Sequence, residues 1–127
     1  MLIKLSTNKT VSEVAEALQA SVTANKFGVM HIHNLKETME KKGVDFKHEC
    51  LIFEVCEPHH AKEVLEANMA ISTALPCRIS VYEQDGKTWL ATLKPTELLH
   101  MFNIPEMACV ATDVESTIIK IMREAIS

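Results

Sequence analysis

Glycine, proline and aromatic residues are scarce in this chain, and each shortage excludes a class of protein. Only three glycines occur among 127 residues, so there is no Gly-rich loop of the kind that cradles phosphate groups. Three glycines and four prolines also argue against a long flexible linker. One Trp, one Tyr and four Phe, without an interleaved basic run, do not make a stacking platform for single-stranded nucleic acid.

Long apolar runs and a strong excess of one charge are also missing. No window approaches the ~20 apolar residues that a membrane span requires, and the start of the chain does not resemble a signal peptide. A net charge of -4 creates no field that attracts nucleic acid. We therefore expect a cytoplasmic protein without membrane or nucleic-acid partners, whose four cysteines stay mostly reduced.

The remaining composition is that of an ordinary globular domain. Hydrophobic residues make up 47% of the chain and charged residues 24%, and a chain of this length can bury one core. We therefore predict a single domain over residues 1–127.

Apolar periodicity predicts alternating strands and helices. Alternating or continuous apolar runs predict strands at residues 1–7, 29–34, 49–56, 75–83 and 89–94. Helical spacing predicts helices at residues 11–25, 35–42 and 58–67, and again from 96 to the end. This order predicts an α+β fold with two layers: a five-stranded sheet with helices packed on one face.

Local signals place several element boundaries. Capping boxes at residues 10–13 and 112–115 predict two helix starts, and Phe27-Gly28 predicts the end of the first long helix. The Asp85-Gly86 pair predicts a tight hairpin turn.

The second predicted strand carries two histidines. Strict alternation there would put Met30 and Ile32 on one face, with Val29, His31 and His33 on the other.

The densest group of chemically reactive residues surrounds Cys56. This thiol ends a strand just before a helix that Pro58 begins, where the free N–H groups and the helix dipole would lower its pKa. Glu57 opposes that effect, because a carboxylate in the first turn competes for the same dipole. The alternative is that Cys56 is a small buried apolar residue at a strand end.

Cys77, at the head of the following strand, could pair with Cys56. The two thiols would meet if their strands run antiparallel, whereas a parallel crossover would separate them by ~20 Å. The helix between the strands favours the crossover.

Two further sets of residues could carry chemistry. Cys56, His59 and His60 are the ligand types that zinc prefers, although their spacing is only half of a zinc motif. The alternative is that His59 is exposed and His60 borders the buried stripe of its helix. His31 and His33 could reach Glu54, which would create an imidazole–carboxylate pair, the form of a general base. No local pattern places a Ser or Cys nucleophile beside that pair. The competing interpretation is that both histidines lie on a half-buried strand with their hydrogen bonds satisfied.

The last third of the chain is rich in methionine, with Met101, Met107 and Met122. Methionine at helical spacing is usually core, but it can also line an adaptable surface. Phe102, Ile104 and Met107 around Pro105 are the apolar residues that we expect near a partner subunit.

Several segments, in order along nearly the whole chain, resemble the family of the domain of unknown function 302. They are KFGV at 26–29, GVDF at 43–46, EVCEPHHA at 54–61, LPCRISVYE at 75–83 and KPT at 94–96. The C-x-P-x-x-A and L-P-C segments are the most specific. The resemblance implies a two-layer α+β fold related to the TATA-binding-protein-like architecture, a homodimer, and no established reaction. His59 and His60 depart from the family pattern, so a metal site there would be particular to this chain.

Three functional hypotheses follow. The first is a cytosolic homodimeric module that binds a small ligand or a protein around Cys56 and Cys77. The second is a thiol-dependent redox or sulfur-carrier protein that uses Cys56, assisted by His60 or His59. The third is a zinc site at Cys56, His59 and His60.

Overall fold

The computed structural model describes all 127 residues, which form one sheet flanked by helices. The strands are β1 Leu2–Thr7, β2 Gly28–Asn34, β3 Cys50–Cys56, β4 Cys77–Gln84 and β5 Lys87–Leu93. The α-helices are α1 Val11–Ala24, α2 Leu35–Lys41, α3 Pro58–Ala67, α4 Pro95–His100 and α5 Ala108–Ile126. Short 3₁₀ helices occupy Met69–Ala74 and Pro105–Met107. None of the helices combines the length and apolar character that crossing a bilayer demands.

All five strands pair antiparallel, in the order β1-β5-β4-β3-β2. Helices α1 and α5 pack against each other on one face of this sheet. A buried hydrogen bond joins them, in which Ser21 Oγ donates to the carbonyl oxygen of Ile121 at 2.9 Å. The predicted two-layer α+β fold with a five-stranded sheet is therefore confirmed.

Local chemistry explains where several elements begin and turn. The Thr10 side chain accepts a hydrogen bond from the Glu13 amide, and the Glu13 carboxylate accepts one from the Thr10 amide, each at 3.1 Å. This predicted capping box starts α1. Asp85 and Gly86 adopt φ of 54° and 74°, the left-handed values that a tight hairpin turn between β4 and β5 requires.

The main core lies between the sheet and helices α1 and α5. Alternate residues of the central strands, such as Phe53 and Val55 in β3, are completely buried against it. From the helices, α1 contributes Leu18 and α5 contributes Ile118. The opposite face of the sheet carries the other residues of each strand, including the partly buried Ile52.

A bulge in β2 changes which of its side chains face the helices. The register shifts between Val29 and His31, so Val29 and Ile32 both pack on the core, while Met30 is 63% exposed. The prediction that Val29 shares a face with His31, and Met30 with Ile32, was therefore wrong. One inserted residue breaks the two-residue alternation.

Two helix boundaries also differ from prediction. The left-handed residue after α1 is Lys26, with φ of 64°, rather than Gly28. Helix α5 already begins at Ala108, and Thr112 donates its hydroxyl to the Ala108 carbonyl at 3.0 Å. The predicted capping box fails because the Glu115 carboxylate instead accepts the hydroxyl of Thr96, at 2.7 Å.

A second, smaller cluster lies beside the main core. Val64 of α3, Ile71 and Ile104 are its buried members, and Phe102 and Met107 pack against them. Phe102, Ile104 and Met107, which the sequence placed near a partner subunit, thus contact the chain's own α3 region. Their contact with a partner subunit stays a prediction.

Two isoleucines on opposite faces of the sheet test this architecture. Ile79 is completely buried, so Ile79→Ala should lower the free energy of unfolding by about 2–5 kcal/mol. Ile52→Ala, on the neighbouring strand, should cost distinctly less because its side chain is only partly buried. Urea denaturation of both variants measures the difference. Equal losses would contradict an uncovered face at Ile52.

Candidate functional site

The antiparallel pairing of β3 and β4 brings the two cysteine segments together. Val55 and Cys77 are register partners, so Cys56 and Cys77 lie at the same end of the sheet. The preference for a parallel crossover was wrong. The chain leaves β3 and enters β4 at that end, and the connection between them forms α3 and the 3₁₀ helix Met69–Ala74. A parallel crossover would instead have to carry the chain along the whole length of the sheet.

Cys56 and Cys77 both line a mostly apolar pocket of about 60 Å³. It lies where the main core meets the smaller cluster of α3. Of the 17 lining residues, 14 are hydrophobic. The lining, called here the apolar pocket, consists of Phe27, Val55, Cys56, Glu57, His60, Ala61, Val64, Ile71, Ala74, Leu75, Cys77, Pro95, Leu98, Leu99, Phe102, Val110 and Val114.

Glu57 caps the N-terminus of α3. Its Oε1 accepts a hydrogen bond from the His59 amide at 3.2 Å, and its Oε2 accepts one from the His60 amide at 2.8 Å. The His59 ring nitrogen Nδ1 lies 2.7 Å from Oε1. Burial alone would raise the pKa of the Glu57 carboxyl, but the hydrogen bonds from His59 and His60 outweigh it and lower that pKa to about 2. The carboxylate is therefore ionised near neutral pH.

Neither thiol in the pocket is activated. Burial, and then the charge of Glu57, raise the pKa of Cys56. Burial, and then the neighbouring Cys56, raise the pKa of Cys77 to about 11. The expectation of a lowered Cys56 pKa was wrong, because burial and the negative charge of Glu57 outweigh the effect of the helix N-terminus. Both cysteines are free and protonated near neutral pH.

His60, which lines the apolar pocket, also carries an unusual buried polar atom. Its Nδ1 is buried and has no hydrogen-bond partner. Glu57 Oε2 lies 3.3 Å away, but the angles do not make a hydrogen bond. Buried polar atoms without partners are uncommon and often mark functional sites.

The remaining metal candidate, His59, points away from this group. Its side chain is 90% exposed and lies against Glu57. The structure contains no group of three or more His, Cys, Asp or Glu side chains placed to hold a metal ion. Cys56, His59 and His60 thus do not fit a zinc site in this arrangement.

Glu54 belongs to a separate cluster on the open face of the sheet. Its Oε2 lies 3.4 Å from His33 Nε2 and 3.5 Å from Arg78 Nη2. The ring of His31 contacts that of His33 edge-on, with the centroids 4.3 Å apart. The expected imidazole–carboxylate pair forms, yet Glu54 does not line the apolar pocket. The sequence did not predict that Arg78, the register partner of Glu54 on β4, belongs to this cluster.

The sequence also did not indicate the wall opposite Cys56. Pro95, Leu98 and Leu99 come from α4 and its start, while Val110 and Val114 come from α5. Helical spacing of apolar residues predicts a buried face in this part of the chain. Only the packing of α4 on α5 places these side chains in the pocket lining.

Alkylation rates test the state of the thiols. The rate at which iodoacetamide alkylates Cys56 should rise with pH, with a midpoint above the value of about 8.5 for a free thiol. The midpoint for Cys77 should lie near 11. Glu57→Gln should lower the Cys56 midpoint by removing a nearby negative charge, whereas Glu63→Gln, exposed on the same helix, should not. Peptide mass spectrometry separates the sites. A Cys56 midpoint below that of a free thiol would restore the thiolate hypothesis.

The cap also makes a pH-dependent contribution to stability. A carboxylate with a lowered pKa stabilises the fold fully above the unfolded pKa of about 4.3 and loses that effect as the pH falls. Glu57→Gln should cost about 0.5–2 kcal/mol near neutral pH. The difference from the parent protein should shrink as the pH falls toward 2, the lowered pKa. Urea denaturation across this range measures it. A difference independent of pH would refute the role of the charge.

The sheet order and the helical layer define a two-layer α+β protein with a pocket at one end of its sheet. The family model described as "Domain of unknown function DUF302" matches residues 3–125, and the chain belongs to this family.

Among solved structures, this chain is similar to the "uncharacterized conserved protein DUF302 from Bacillus stearothermophilus", with a TM-score of 0.91 and 31% identity. The match covers 98% of this chain and 97% of that one. A comparison with curated proteins found no match.

Proposed function

We propose that this protein binds a small, mainly apolar ligand in the pocket between β3, α3, α4 and α5. The observation that carries the proposal is the lining, in which 14 of 17 residues are hydrophobic and the ionisable groups come from β3, β4 and the start of α3. Apolar clefts with a few convergent polar groups are the usual form of small-molecule sites.

The void itself favours an apolar occupant. A pocket of about 60 Å³ is large enough to admit water. Water in it would lack the polar partners that it needs, because almost all of the exposed lining is apolar. A ligand that fills it recovers contacts that the folded chain lacks.

The α3 wall of the pocket is less firmly packed than the α5 wall. Val64 is the only buried residue of α3, and the 3₁₀ helix that follows has only Ile71. Helix α5, by contrast, buries five residues. Displacing the α3 wall exposes less apolar surface, so the pocket can enlarge on that side for a ligand bigger than the resting void.

A thiol-dependent reaction is the weaker alternative. Such chemistry needs a thiolate, and the pKa values of both Cys56 and Cys77 are raised. We propose that the two thiols act as neutral, polarisable parts of the lining.

We further propose that the protein is a cytoplasmic homodimer. The sheet face around Ile52 supports an interface between two copies, since its strands carry partly buried apolar side chains while the main core packs on the other face. Native mass spectrometry of untagged protein reports the subunit number and any retained ligand together. A monomer at micromolar concentration would refute the dimer and leave the pocket proposal intact.

Filling the pocket tests the binding proposal. Xenon and benzene are suitable probes, because both occupy apolar cavities and xenon fits a small one. Amide shifts in ¹H–¹⁵N spectra should saturate around Val55, Val64 and Leu99 in the parent protein. Ala74→Met should abolish this binding by occupying the pocket.

Ala70→Met is the matched control. Ala70 lies in the same 3₁₀ helix but is exposed and does not line the pocket, so binding should remain. Absence of saturable shifts with either probe in the parent protein would refute the proposal, as would unchanged binding in a folded Ala74→Met variant.

A further inference from the structure

We propose that the protein binds a linear aliphatic chain, which reaches from the surface into the apolar pocket through a groove between β2 and α3. This inference rests on the proposed function and names the ligand class and the entry side of the same pocket. It comes from the lining that the groove and the pocket have in common.

The groove lies beside strand β2, at the edge of the sheet. It is called here the edge groove, and its hydrophobic lining residues are Val29, Met30, Cys56, Ala61 and Leu65. Strand β2 has a paired neighbour on its β3 side only, and Met30, at the bulge, is 63% exposed. Almost all of the exposed surface in the groove is apolar. Contiguous apolar surface of this kind is typical of a ligand-binding groove.

Two residues join the edge groove to the apolar pocket. Cys56 and Ala61 line both cavities, so the cavities meet at the start of α3. Both side chains are small, a thiol and a methyl group. Ala61 belongs to α3, which buries only Val64. A small outward displacement of α3 therefore opens the pocket toward the groove and exposes little apolar surface.

The pocket and the groove together suit a long, narrow ligand. The pocket alone is small, at about 60 Å³, so most of a longer ligand has to lie outside it. The edge groove supplies adjoining apolar surface for that part. Because the cavities meet at Cys56 and Ala61 alone, an unbranched chain fits the junction better than a branched one.

The charged residues of the groove do not select a head group. Lys62 and Glu66 also line it, and their side chains are 75% and 69% exposed. They lie 3.8 Å apart as an ion pair, so their charges offset each other on the solvent side. A hydrocarbon chain whose polar end stays in water matches this distribution of charge.

Linear alcohols of increasing length test the inference. Butan-1-ol, hexan-1-ol and octan-1-ol are neutral probes, to be titrated against the parent protein by ¹H–¹⁵N spectroscopy. Affinity should rise by about two- to fourfold for each added carbon, since full burial of a methylene is equivalent to about fourfold. Butanol should shift amides around Val64 and Leu99. Octanol should also shift those around Met30 and Leu65.

Leu65→Gln is the deciding variant, because Leu65 lines the edge groove but not the pocket. It should remove most of the advantage of octanol over butanol, while butanol binds as it does to the parent protein. Met69→Gln is the matched control. Met69 lies in the same connection between β3 and β4, is 70% exposed and lines neither cavity, so the full advantage should remain.

The outcomes distinguish the two proposals. If xenon, benzene and all three alcohols fail to bind the parent protein, both the pocket function and the chain-binding inference are refuted. If butanol binds and octanol binds no more tightly, only the chain-binding inference is refuted. The same holds if octanol leaves the amides of the edge groove unshifted. The parent-protein series decides this even if Leu65→Gln folds poorly.

Discussion

The antiparallel pairing of β3 with β4 is the constraint on which the site depends. Because Val55 lies opposite Cys77, the chain must leave β3 and enter β4 at the same end of the sheet. The connecting residues fold into α3 and a 3₁₀ helix there, and pack on a small cluster of their own. The seam between that cluster and the main core is the apolar pocket, so the void follows from the topology.

The residue next to Cys56 decides the electrostatics of the site. A helix N-terminus can stabilise any anion that reaches its free amides, and two anions competed for the start of α3. Glu57 reaches the amides of His59 and His60, and its charge adds to the burial that keeps the Cys56 thiol protonated. Position alone therefore does not predict a reactive cysteine, because the side chain that caps the helix has to be known first.

Features set by a few neighbouring residues were predictable. The Thr10 capping box and the turn at Asp85-Gly86 formed as expected, since each depends only on local backbone geometry. Features that depend on distant partners were not. The bulge at Met30 depends on the register with β3, and the Glu115 carboxylate accepts a hydrogen bond from the distant Thr96. The imidazole–carboxylate pair was foreseen at Glu54, but its position away from the pocket was not.

The sequence by itself determined the family, the order of strands and helices, and the position of Cys56 at the junction of a strand and a helix. Hydrophobic periodicity is a local property that each segment carries whatever its neighbours do. Only the tertiary structure decided that Cys56 and Cys77 meet, that α4 and α5 close the pocket, and that Nδ1 of His60 has no partner. Those facts depend on which surfaces pack together over long separations along the chain, and periodicity does not encode that choice.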